Sequence, residues 1–265
     1  MIDLHSHILH GIDDGAVDMD MSVAMAKLAV ADGTRVLACT SHFMPGVYDN
    51  TIDILNHAVA ELTDVLAEQQ IPLKLVVGGD LHIAAELEAQ LNRQAVPTIA
   101  NSRYFLFEPP HHVAPPNLAK YCERLLGAGF IPILTHPERL TWIENHYDLI
   151  CELDEIGVPL QLTAKSVTGA FGKRPKYWSD RMLEEGRVDF IASDAHNISS
   201  RPPGLSKAYE CVEKRLGSEA ACKMVDTNPS LVLQDKPLVA KSPRTKTTIR
   251  QNKGKKFWSF LNKSN

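Results

Sequence analysis

Imidazoles and carboxylates recur along this chain at comparable points of a repeating pattern. His5-x-His7 comes first, followed by Asp13 and Asp14 in Ile-Asp-Asp-Gly. His42, Asp80 with His82, Glu108, His136 in Thr-His-Pro-Glu-Arg, and Asp194-x-His196 complete the series. Two residues apart on an extended segment, His5 and His7 point to one side and can grip one ion, and so can Asp194 and His196. Such a mixed nitrogen and oxygen set suits Zn, Mn or Fe. Singly, each residue has a plainer reading. A lone histidine is more often a hydrogen-bonded polar residue than a ligand, and Asp14 beside a glycine is ordinary turn chemistry. Their common placement makes the case for metal. His5, His7, Asp14, His42, Asp80, Glu108, His136, Asp194 and His196 are nine candidate ligands, more than one ion can use, so two or three metals are expected. Paired ions activate water and clamp the entering and leaving oxygens of a phosphate ester. Arg139, three residues after His136, and Arg201, five after His196, offer the planar fork that matches phosphoryl oxygens.

The elements that must position these residues follow from the alternation of short β-branched runs with segments of helical period, the signature of a parallel sheet. Strands are expected at 1–4, 36–40, 73–77, 104–107, 131–134, 159–162 and 189–192. Helices are expected at about 20–32, 52–66, 84–93, 117–127, 147–156, 176–185 and 205–216. Every ligand-type residue then falls just past the C-terminal end of a strand, where the ends of a βα barrel converge. Only the 159–162 strand lacks one, ending at Gln161 and Thr163. No glycine-rich nucleotide loop follows any strand, which disfavours a dinucleotide fold.

The bulk properties agree with an enzyme of this kind. The 265 residues, 44% hydrophobic and 23% charged, suit one α/β barrel. Net charge is −4, but from Lys236 onward there are nine Lys or Arg and no acid, which leaves −13 for the body. An acidic body argues against nucleic acid as partner and suits a protein that concentrates cations. Five scattered cysteines without a CxxC pair read as reduced thiols, hence a cytoplasmic protein. The start Met-Ile-Asp-Leu-His has neither a basic nor an apolar leader region, so no secretory signal is expected.

Asp3-Leu4-His5-Ser6-His7, Thr40-Ser41-His42 and Ser193-Asp194-Ala195-His196 resemble the motifs of the polymerase-and-histidinol-phosphatase (PHP) superfamily. Ile12 to Gly15, Asn101 to Tyr104, His136 to Arg139, Ile191 to His196 and Arg201-Pro-Pro look like one branch of it. That branch is the bacterial protein-tyrosine phosphatases encoded with capsular and exopolysaccharide genes. The matches run from Met1 to about Pro229. The resemblance implies a distorted, TIM-like (β/α)7 PHP barrel with three ions, usually Mn, with Fe, Zn, Co or Mg as other candidates. It places His5, His7 and Asp194 on one ion, Glu108 and His136 on a second, and Asp14, His42 and His196 on a third. Asp80 stands where the family usually has a bridging glutamate, and His82 is positioned to compensate for the shorter side chain. The implied reaction is attack of metal-bound hydroxide on phosphotyrosine, with Arg139 and Arg201 on the phosphoryl oxygens and either His196 or a metal-bound water as proton donor. The implied substrate is the phosphotyrosine tail of a membrane tyrosine autokinase controlling polysaccharide export.

Rival readings are a cysteine phosphatase, a histidinol-phosphate type phosphoesterase and a non-catalytic metal-binding regulator of the kinase. The first lacks support, because no cysteine is followed by Arg after five intervening residues. An amidohydrolase would carry a carbamylated lysine where Glu108 stands. The phosphatase domain is expected over 1–235. The basic segment 236–265 reads as a disordered tail, whose Phe257-Trp258-Ser259-Phe260-Leu261 is a candidate hook for an anionic membrane surface. An oligomeric assembly is left open.

Overall fold

The β-branched and aliphatic runs form parallel strands in the computed structural model, which describes residues 1–239. They are β1 (Ile2–Asp3), β2 (Val36–Cys39), β3 (His42–Phe43), β4 (Lys74–Val77), β5 (Asp80–His82), β6 (Tyr104–Glu108), β7 (Ile131–Thr135), β8 (Leu160–Thr163) and β9 (Val188–Ala192). Two sheets result, β1-β2-β4 and β3-β5-β6-β7-β8-β9. Each of the seven expected strands is present. Two of them continue beyond their expected ends: β3 resumes the line of β2 after Thr40-Ser41, and β5 resumes that of β4 after Gly78-Gly79. Backbone bonds from Gly78 N to Cys39 O and from Asp80 N to Ser41 O, both 3.1 Å, carry the pairing across these breaks. At the far side Ser6 and Ala195 form a parallel bridge. His7 N donates to Ala195 O at 2.8 Å and Asp194 N to His5 O at 2.9 Å, so the first and last strands lie side by side. The mixed α/β architecture with parallel strands is the one expected.

The pleat explains how the core and the ligands share one set of strands. Successive side chains alternate between faces, so Tyr104, Leu106 and Glu108 share one face of β6 while Phe105 and Phe107 take the other. The first face packs Tyr104 and Leu106 with Ile2, Leu4, Ala38, Ile133, Phe190 and Val232 in an inner cluster. Phe105 and Phe107 join the larger cluster that includes helical residues such as Leu55, Leu62, Leu125 and Ile150. β6 and β9 are buried along their whole lengths, as expected for strands covered on both faces.

Helices run over Met19–Ala31, Ile52–Glu68, Leu87–Asn92, Leu118–Gly127, Ile143–Glu155, Lys173–Glu184 and Ser206–Leu216. Asp18 and Thr51 cap the first two, accepting from Met21 N and Ile54 N. Two helices begin earlier than their periodicity indicates. His146 has φ −134°, which breaks the Ile143–Glu155 helix, so its regular spacing resumes only afterwards. Pro175 lies in the first turn of Lys173–Glu184, where a missing N–H costs nothing. Ala164–Thr168 and the run from Ser218 to Leu233 are further helical segments that the sequence pattern did not distinguish. Among the described residues no helix is long and apolar enough to cross a membrane. From residue 240 the basic tail, with its proposed membrane hook, lies outside the described residues.

Candidate metal centre

All nine candidate ligands come together at the C-terminal ends of the strands. β1 runs directly into His5 and His7, β3 begins at His42, β5 carries Asp80, and β6 ends on Glu108. His136 and Asp194 follow β7 and β9 in left-handed backbone conformations, φ 33° and 52°. Non-glycine residues adopt that region rarely and at some cost, so the turns that re-aim these two side chains are held by their surroundings.

Five overlapping groups have ligand atoms within 4.8 Å of one another: His7-Asp14-His42-His196, His5-His7-Asp80, His5-His136-Asp194, His42-His82-Glu108 and Glu108-His111-His136. His5 Nε2 lies 3.4 Å from Asp194 Oδ1 and 3.6 Å from Asp80 Oδ2, and His7 Nε2 lies 3.6 Å from Asp194 Oδ1. Asp14 Oδ1 is 3.5 Å from His42 Nε2 and 3.4 Å from His196 Nε2. His136 Nε2 is 3.8 Å from Glu108 Oε2. The partition is less clean than three separate sets, because His7 borders two groups. His42 also faces both ways, with Nδ1 3.5 Å from Asp80 Oδ2.

Outer contacts aim these rings. His5 Nδ1 donates to Gln161 Oε1 at 2.8 Å and His7 Nδ1 to Asp13 Oδ2 at 2.9 Å, which turns both Nε2 atoms toward the centre. Asp13 therefore orients His7, while its neighbour Asp14 reaches the His42–His196 group. Gln161 gives the β8 strand end a role that its lack of a ligand had hidden. His111 is a second addition: its Nε2 lies 3.0 Å from Glu108 Oε1. Its spacing of three residues from Glu108 was the available signal. His82, read from its alternation with Asp80, does arrive beside Glu108, at 3.7 Å.

Arg139 and Arg201 both meet Asp194 Oδ2, the latter through Nη2 at 2.6 Å. Arg201 is placed by a closed loop in which His196 N donates to Arg201 O at 2.9 Å and Asn197 Oδ1 accepts from Arg201 N at 3.1 Å. The Arg139 guanidinium lies 5.4 Å from the Phe171 ring. Together with Asp14, His42, Glu108, His111, His136, Asp194 and His196, the two arginines line a cleft of about 190 Å³.

The electrostatics suit cations. Burial and the charge of Glu108 push the Asp80 carboxyl well above its ordinary range, while both its oxygens are buried without a hydrogen-bond partner. An unpaired buried carboxylate is costly. A buried carboxyl that accepts no hydrogen bond and has His5, His7 and His42 as neighbours fits a metal ion. Burial, against the pull of Asp194, lowers His5 to about 4, and burial with the charge of His7 lowers His42 to about 3. Both rings are thus neutral at pH 7, the form that ligates. Burial opposes ionisation of Asp194, but His5, Arg201 and Arg139 hold its carboxyl well below the usual range.

Gly15 fixes the Asp13-Asp14 turn against His7. A Cβ there would strike the His7 carbonyl oxygen and lie 2.6 Å from His7 Cβ. Gly15→Ala is expected to displace Asp14 from His42 and His196. Metal analysis should show at least one ion lost per chain while the circular dichroism spectrum is retained; undiminished metal content would refute this role.

Comparison with known proteins places the chain. The family model described as capsular polysaccharide synthesis, CpsB/CapC, matches residues 1–234. The tyrosine-protein phosphatase YwqE of Bacillus subtilis is 35% identical over 248 residues, 92% of this chain and 96% of that protein. The tyrosine-protein phosphatase CpsB of Streptococcus pneumoniae is 28% identical over 240 residues, 89% of this chain and 99% of its own length. One crystal structure from work on these two proteins, described as unique metal-dependent tyrosine phosphatases, matches with a TM-score of 0.88. It is 34% identical and covers 92% of this chain and 98% of the other.

Proposed function

Because the chain belongs to the capsular polysaccharide synthesis family CpsB/CapC, we infer that it is a metal-dependent tyrosine-protein phosphatase acting in capsule or exopolysaccharide production. The observation that carries this reading is the buried, unpaired Asp80 carboxylate among imidazoles, beside two arginines that share one cleft. We assign His5, His7 and Asp194 to one ion, Glu108 and His136 with His111 to a second, and Asp14, His42 and His196 to a third. Asp80 lies beside His5 and His42, and manganese is the metal we favour. When bound, these ions supply electrophilic stabilisation of the phosphoryl group and activation of water.

The chain's own residues bind and orient. Arg139 and Arg201 engage two phosphoryl oxygens through their forks, exchanging the Asp194 carboxylate for the substrate. Gln161 and Asp13 keep His5 and His7 in the ligating tautomer. The phenolate leaving group, with pKa about 10, needs less protonation than an alkoxide, so assistance from His196 or from a bound water suffices. The substrate we favour is the phosphotyrosine tail of a cytoplasm-facing membrane tyrosine autokinase.

The metal-loaded protein is expected to hydrolyse phosphotyrosyl peptide in preference to histidinol phosphate at matched concentration. A reversed preference would replace the substrate class while leaving the metal centre intact.

A further inference from the structure

Beside the metal centre lies a second cavity, of about 240 Å³. Phe43, Met44, Tyr48, Leu81, Leu87 and Val96 form its apolar part, and Asp49, Asn50, His82 and Gln90 its polar rim. It shares no lining residue with the arginine-lined cleft, yet the two adjoin. Tyr48 of the cavity stacks on His42 of the cleft, with ring centroids 5.5 Å apart and planes at 15°. His82 of the cavity lies 3.1 Å from His42 Nδ1. The two cavities are therefore close enough for one bound peptide to place a phosphoryl group in the cleft and a different side chain in the cavity.

The cavity is preformed. Met44 and Tyr48 exchange backbone hydrogen bonds of 3.2 and 2.8 Å, and Asp49 Oδ1 accepts from Gly46 N at 2.7 Å, which closes the turn forming one wall. Asn50 Nδ2 donates to Ile12 O and His42 O, tying that turn to the metal centre. Leu81 and Leu87, 1% and 2% exposed, form a rigid floor. An apolar cavity of about 150 Å³ accommodates benzene, so this volume takes one six-membered ring with room for a methylene stem. The two aromatic walls and the Met44 thioether favour an aromatic occupant.

We propose that this cavity is a specificity subsite for an aromatic residue flanking the phosphotyrosine of the substrate peptide. The proposal rests on the phosphatase reading above.

The test uses the metal-loaded full chain and phosphotyrosyl peptides in which phenylalanine replaces alanine at each of three positions on either side of the phosphotyrosine. One position is expected to raise kcat/KM about tenfold, through KM, as burial of a ring implies. Ala95→Trp, at an exposed edge of the cavity, and Met44→Ala should each shrink that preference toward unity. p-Nitrophenyl phosphate, too small to reach the cavity, reports the metal centre alone. Turnover of every peptide at one rate overturns the subsite and leaves the phosphatase reading standing. No turnover of either peptide or p-nitrophenyl phosphate overturns that reading, and the subsite with it.

Discussion

Asp194→Asn is expected to lower kcat/KM by about 10³-fold or more, because a lost metal removes several kcal/mol of transition-state stabilisation at about 1.4 kcal/mol per decade. Asp194 is 1% exposed and joins both halves of the site. One oxygen faces His5 Nε2 and His7 Nε2 at 3.4 and 3.6 Å; the other receives Arg201 at 2.6 Å and Arg139 as well. The amide is nearly the same shape, so the fold has no steric reason to fail. Its missing charge weakens the hold on the ion and leaves two guanidinium groups without their counter-charge. Elemental analysis should show metal content falling alongside activity, and dialysis of the wild type against chelator should reproduce the loss. Full occupancy with full turnover in the variant would remove Asp194 from the ligand set.

The wild-type loss should also have a pH dependence with a definite sign. His5 titrates near 4, so it stays neutral at pH values where a free histidine is half protonated. Against the effect of burial, the Asp13 carboxylate holds His7, assigned to the same ion, above its ordinary value. Acidification is therefore expected to compete with the metal first at His7, and at His5 only as pH falls toward 4; metal content measured against pH checks this order.

Much of this site was legible because a strand's C-terminal end is easy to locate from its β-branched run. Val36 to Cys39 leads to His42, Tyr104 to Glu108 ends on a candidate ligand, and Val188 to Ala192 leads to Asp194. Contacts that depend on how a turn folds were not legible. Asp13 and Asp14 are adjacent and chemically alike, yet Asp13 accepts from His7 and Gly15 while Asp14 reaches toward His196. That choice is made by the backbone of the Ile12–Gly15 turn. Gln161 looked inert because its partner, His5, is 156 residues away. His111 lies past two prolines, in a segment with no periodicity to place it. The resumption of the second and third strands as β3 and β5 also escaped, since His42-Phe43 and Asp80 to His82 are too short to show a strand pattern of their own.

Arg139→Ala and Arg201→Ala should each reduce kcat by about 10²- to 10³-fold, the usual effect of deleting one preorganised donor to a developing negative charge. Both side chains are about one-fifth exposed, 21% and 23%, and converge on one carboxylate oxygen at the cleft wall. Two forks aimed at one point are arranged to share a single tetrahedral anion. Their losses should therefore not multiply: once one fork is gone, the phosphoryl group is already misplaced, and removing the second costs less. Lysine substitutions keep the charge but not the paired donors, and should recover only part of the rate. Metal content separates this pair from Asp194. Neither arginine is among the candidate ligands, so the variants are expected to retain their metal while losing turnover. A metal-depleted Arg201→Ala would mean that the arginine chiefly positions Asp194, and losses that multiply in the double variant would mean that the two forks act on separate groups.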